Sequence, residues 1–138
     1  MSDLIYAIGT NDGVAVSPTH FGDSDKFQVY KISEGGEARL EREIANPSKE
    51  IDEGNVHGSR KKRQSVVALL GPDVDFLVAK RMSPNFEHIN RQTRICPIVS
   101  GIENITELQG YFVENFSAFW EIKHAKLAGK SVELVQID

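Results

Sequence analysis

The chain has 138 residues, with 16 lysines and arginines against 20 aspartates and glutamates, a formal charge of −4 and 40% hydrophobic residues. That suffices for one packed domain and excludes disordered, collagen-like and coiled-coil classes. One cysteine, Cys96, excludes an internal disulfide and the paired thiolates of a closed zinc or iron–sulfur cage.

Residues 4–9 form an apolar run ending in Gly9-Thr10-Asn11-Asp12-Gly13, a buried strand followed by a turn. Val14-Ala15-Val16 reads as a brief returning strand. Residues 27–32 give a second strand, and Glu34-Gly35-Gly36 turns it into a third over 38–45. In that strand alternation puts Ala38, Leu40, Arg42 and Ile44 on one face and Arg39, Glu41 and Glu43 on the other. Asn46-Pro47 ends it, and 48–58 is polar enough for a mobile loop.

A helix follows over 59–70, stopped by Gly71-Pro72. Residues 76–79 are a continuous apolar run, as in a strand covered on both faces. Ser83-Pro84 supplies a capping hydroxyl and a proline suited to the first helical position, opening a helix to about Gln92. Residues 95–99 form another covered strand. Asn104 with Glu107 resembles a capping box, and Ile105, Leu108, Phe112, Phe116 and Phe119 mark one face of the longest helix. The polar tail ends in Val132-Glu133-Leu134-Val135, a late strand or an interaction segment. This order predicts an α/β three-layer domain with a mixed sheet, antiparallel in its N-terminal strands and parallel in its C-terminal ones, over residues 1–120, with 121–138 as a tail.

Charge is unevenly spread: residues 1–59 carry −6, 60–94 carry +5 and 95–138 carry −3. The positive block is led by Arg60-Lys61-Lys62-Arg63 and Lys80-Arg81. In open α/β sheets ligands bind beyond the carboxyl ends of the strands, here Gly9 to Asn11 and Ala79 to Ser83. Cations in the first turn of a helix oppose its dipole, so the Arg60 run points to a bound anion or partner, against the plainer reading of a solvated face.

Ser17-Pro18-Thr19-His20-Phe21-Gly22, followed by Lys26-Phe27-Gln28-Val29-Tyr30, resembles the S-x-H-F-G loop and aromatic strand of the dinitrogenase iron–molybdenum cofactor biosynthesis family. Asn46-Pro47, His57-Gly58 and Ser83-Pro84-Asn85 fall where that family has short signatures, and the likeness covers roughly residues 4–118. It implies a ribonuclease H-like fold and, in some members, binding of an iron–molybdenum cofactor or a related metal–sulfur cluster. Two departures stand out. The glycine-rich stretch before the second helix is Lys80-Arg81-Met82-Ser83 here, and the cysteine or glycine often following His-Gly is Ser59-Arg60.

The expected binding set is therefore His20, with His57, Arg60, Lys80, Arg81 and Ser83, and His20 as the metal ligand, since neutral imidazole suits transition metals. The competing reading makes His20 a loop anchor. His88 and His124 read as surface residues, Cys96 as a small buried hydrophobe and Met82 as packing. Phe119 and Trp120 extend the apolar stripe toward a protein partner or a homodimer contact.

Enzyme readings fare poorly. The strand Leu4-Ile5-Tyr6-Ala7-Ile8 carries no carboxylate for two-metal catalysis, and neither a G-x-x-x-x-G-K-[ST] loop nor a G-x-S-x-G nucleophile occurs. The expectation is a non-enzymatic carrier binding a metal–sulfur cofactor or its anionic precursor, an oxyanion, with a cluster-free regulatory module as the alternative. Nucleic-acid binding is disfavoured by the acidic flanks. No stretch reaches the roughly 18 apolar residues of a membrane span and no basic segment precedes an apolar run at the N-terminus, so a cytoplasmic location is expected.

Overall fold

The computed structural model of the chain describes residues 3–47 and 60–138. Six strands form one sheet in the order β3-β2-β1-β4-β5-β6: β1 Asp3–Thr10, β2 Lys26–Ser33, β3 Ala38–Ala45, β4 Phe76–Ala79, β5 Cys96–Ser100 and β6 Val135–Ile137. β1 to β3 pair antiparallel, while β1, β4, β5 and β6 run parallel. The helices are α1 Arg60–Leu70, α2 Pro84–Gln92, α3 Ile105–Glu114 and α4 Phe116–Leu127. The mixed sheet expected from the sequence is present.

β1 is central because it is apolar on both faces. Leu4, Tyr6 and Ile8 face one core with Tyr30, Ile32, Phe76, Ile98, Leu108, Phe112 and Phe119. Ala7 faces the other with Phe27, Val29, Val66, Leu70, Leu77, Phe86 and Ile89. Thus α3 and α4 cover one side of the sheet, and α1 and α2 the other. The Tyr6 ring stacks between Phe112, at 4.0 Å, and Phe76, at 4.8 Å. Each such buried ring contributes about 1.5–3 kcal/mol by burial, and stacked pairs add about 0.5–1.5 kcal/mol.

Four expectations are corrected. Ala38, Leu40, Arg42 and Ile44 do not share one face. Val29 pairs with Arg42 but Tyr30 with Leu40, so Glu41 is an extra residue that reverses the alternation. Ala38 accordingly packs on the Tyr6 core and Ile44 on the Phe27 core.

The long C-terminal helix is two helices. Asn115 leaves helical geometry, at φ −109° and ψ 23°, and its side-chain amide donates to Tyr111 O at 2.9 Å, a local competitor of the helical ladder. Phe116 leaves the buried stripe and stacks on Trp120 at 5.9 Å, while Phe119 stays in the core.

Residues 14–16 make isolated bridges, Thr10 to Val16 and Ala15 to Asn104, rather than a strand. Residues 121–138, expected as a tail, supply the end of α4 and the sheet's sixth strand, where Ile137 is buried. The expected loop 48–58 lies outside the described residues.

Candidate functional site

The parallel strands β1, β4 and β5 all end at one edge of the sheet, where the segments 11–25, 80–83 and 101–104 begin. These segments are laced together. Val16 N–H donates to Glu103 O at 2.8 Å and Ile105 N–H to Val14 O at 3.0 Å. The Asp12 carboxylate accepts from the amides of Val14 and Ala15 at 2.8 and 3.0 Å. Those backbone donors hold the Asp12 carboxyl below its usual range. Gly13 turns the chain at φ +80°, a conformation that suits glycine.

His20 stands at the start of a short 3-10 turn, Phe21–Asp23. The next residue anchors it: Phe21 is buried, stacked on Phe27 at 4.6 Å and tilted against Phe86 at 5.8 Å. Asn46 fixes the far end of the turn, its amide donating to Gly22 O at 3.0 Å and Ser24 O at 2.7 Å. The His20 side chain itself is 31% exposed, with Nδ1 4.0 Å from Asp23 Oδ2. An imidazole partly open to solvent on a packed pedestal has the chemistry to ligate a metal or bond an anion.

The other expected residues divide. Lys80 leaves β4 at this edge, but its ammonium sits on Glu103, a partner 23 residues away that no local pattern announces. Arg81 and Met82 are exposed beside it. Ser83 is buried, and its hydroxyl oxygen accepts from Phe86 N–H as the cap of α2, the role its position before Pro84 predicts. Arg60 opens α1, its side chain lying outside what is described, and His57 lies outside the described residues altogether.

His88 touches Arg91 Nη2 at 3.3 Å on α2, and His124 lies against Trp120 at 4.5 Å on α4, both away from this edge. Cys96 is fully buried, and burial pushes its thiol up to about 11, so no thiolate is offered at neutral pH. Among the described residues no three His, Cys, Asp or Glu side chains cluster as metal ligands. Among the described residues, the one imidazole at this edge is that of His20.

The positive block of the sequence is also split. Arg60 and Lys80-Arg81 lie at the edge where the parallel strands end, whereas Arg91 and Arg94, from the same block, follow α2 to the opposite edge. Asp75 waits there, its side chain 1% exposed, with Arg94 at 2.8 Å and Lys123 at 3.2 Å.

The model of a family described as dinitrogenase iron-molybdenum cofactor matches residues 3–112, from the start of β1 to the core ring of Phe112. No curated protein and no solved structure matches the chain. No helix among the described residues is long and apolar enough to cross a membrane.

Proposed function

The chain belongs to the dinitrogenase iron–molybdenum cofactor family, and from that premise we propose that it is a small non-enzymatic carrier or accessory protein. Its cargo is an iron–molybdenum cofactor, a related metal–sulfur cluster or an anionic precursor. The observation that carries this reading is the part-exposed His20 imidazole, on a turn held by buried Phe21 and the Asn46 clamp. His20 would supply the one protein nitrogen. Arg81 and the positive charge carried at the start of α1 would offset the cargo's negative charge, and the first amides of α1 favour anions on dipole grounds. The cluster arrives with its own iron and sulfur.

The non-enzymatic part of the reading is supported by β1, whose Leu4, Tyr6, Ala7 and Ile8 side chains all lie within the two cores. The ribonuclease H-like label belongs to the same proposal, supported by a sheet antiparallel through β3 and parallel from β4.

The test is anaerobic titration of the protein with an isolated iron–molybdenum cluster or a thiomolybdate. Saturable binding that weakens about tenfold or more in His20→Ala is expected, the loss of one strong contact. Equal binding by the variant removes His20 from the site.

A second reading, a cluster-free regulatory or interaction module, is favoured by the Lys80–Glu103 ion pair, which offsets charge at this edge. Metal content of protein purified without oxygen separates the two: stoichiometric molybdenum or iron supports the carrier.

A further inference from the structure

At the edge where the parallel strands begin, α2 and α4 end beside each other. Asn90, in the last turns of α2, donates its amide to Val132 O at 2.7 Å. The Lys126 ammonium, in the last turn of α4, rests on Asn90 O and, at 2.8 Å, on Asn90 Oδ1. Beside them opens a cleft of about 430 Å³ whose charged lining is Arg91, Arg94, Lys126 and Lys130, with Thr93 and Ser131 as hydroxyl donors. Among the described residues, its lining includes no carboxylate.

The four cations differ in how they are satisfied. Arg94 is committed at one end, pairing with Asp75 and donating to Pro72 O. Lys126 is the unusual one. It is 8% exposed, yet both oxygens on its ammonium belong to a neutral asparagine. Burial lowers its pKa, the mark of a charge removed from water without a full counter-charge. The nearby Cys96 thiol stays protonated at neutral pH and supplies none. Lys130 is exposed on the cleft wall. Arg91 and Asn90 also border a neighbouring groove, lined by Glu87 and Glu133.

Cations at a helix C-terminus are favourable on their own, and capping α2 accounts for Lys126. Lys130, just past the end of α4, is favoured in the same way; what this leaves without a cause is the convergence of four cations on one cleft with no carboxylate among its described lining.

We propose that this cleft binds a phosphate-type oxyanion, free or as the phosphate of a small phosphomonoester, with Lys126 and Lys130 as its charged donors. An entering anion would give the buried ammonium the counter-charge that Asn90 cannot, in the charge-assisted geometry that makes such bonds strong. The site is separate from the His20 edge and does not depend on cluster binding there.

Calorimetric titration of the full chain with inorganic phosphate, against chloride at equal ionic strength, and then with adenosine monophosphate tests this. Saturable one-to-one binding is expected, weakened about tenfold or more in Lys130→Glu, a change at an exposed position that leaves the fold intact. Lys126→Gln should weaken it at least as much, and His20→Ala should leave it unchanged. Equal affinity for the two probes assigns the free anion, and clearly tighter adenosine monophosphate assigns the phosphomonoester. Absence of saturable binding of both probes overturns the site, as does binding undiminished in Lys130→Glu and Lys126→Gln, or binding lost in His20→Ala. A failed cluster titration with intact phosphate binding would count only against the carrier reading.

Discussion

At the edge where β1, β4 and β5 end, the turn carrying His20 is held by neutral groups: Phe21 between Phe27 and Phe86, and the Asn46 amide on two carbonyls. At the edge where those strands begin, charges do the holding. Asp75, almost fully buried, binds Arg94 and Lys123 and accepts Ile5 N–H at 2.9 Å, and Lys126 is buried nearby. The difference is one of susceptibility. Neutral packing and amide bonds should keep the His20 pedestal at the same geometry across pH and salt, which suits the loading site proposed for it. A charged edge responds to protons and anions, which suits a second, reversible ligand.

The largest effect should come from removing the centre of the charged edge. Asp75→Ala leaves Arg94 and Lys123 without their common anion and strands the Ile5 amide. Loss of one partner from a buried pair costs about 3–5 kcal/mol. Because Arg94 and Lys123 are themselves 33% and 21% exposed, the loss should fall near about 3 kcal/mol, part of their charge being recovered by water. Urea unfolding followed by the fluorescence of Trp120 measures it. A loss under about 1 kcal/mol, the range of exposed pairs, would erase the contrast between the edges.

Asn46→Ala probes the neutral clamp on the His20 turn. It deprives the carbonyls of Gly22 and Ser24 of their side-chain donor, at a cost of about 2 kcal/mol. Since no charge is involved, the loss should be the same in about 0.1 M and 1 M salt. A loss that shrinks with salt would mean the pedestal is electrostatic after all.

Most of the fold was legible because burial on two faces, caps and turn residues are local signals. Residues 76–79 read as a covered strand, and Ser83-Pro84 as a helix start. What escaped was non-local or a matter of one residue. The bulge at Glu41 follows from how β3 pairs with β2, so alternation alone put Ala38 and Ile44 on the same face. Asn115 sits in a continuous apolar periodicity and breaks the helix through its own side chain, which periodicity does not register.

The site was legible in part for the same reason. His20 was marked out by the residues beside it, Ser17 to Gly22, whereas its clamp by Asn46 and Phe86 is non-local and the meaning of the positive block depends on where α2 takes the chain. Nine residues of helix advance it by roughly 13 Å, enough to separate Lys80-Arg81 from Arg91 and Arg94. Summed along the chain, those charges looked like one anion site; in space they belong to two edges.

The smallest predicted effect lies at the charged edge, in its alkaline limb. Burial raises the Cys96 thiol from 9.0 to about 11, with Lys126 partly opposing. The folded protein therefore keeps this proton after the unfolded chain has released it. The stability so conferred is fully present below pH 9 and is lost as pH rises toward about 11, at no more than about 1.4 kcal/mol per pH unit. Tyr6 and Tyr30, both raised by burial, add the same sign above their ordinary range near pH 10. Lys126, lowered by burial, has the opposite sign: its penalty is present while it is protonated in the fold and is relieved as pH rises through its folded value. Between pH 9 and 10 the fall should therefore be led by Cys96. Urea midpoints at half-unit steps for wild type and Cys96→Ala check this. The variant starts lower, having lost a buried side chain, but its curve should be flatter through that interval. An unchanged slope would mean that the thiol shares the solvent contact of the neutral edge's exposed groups, and that the burial separating the two edges does not extend to Cys96.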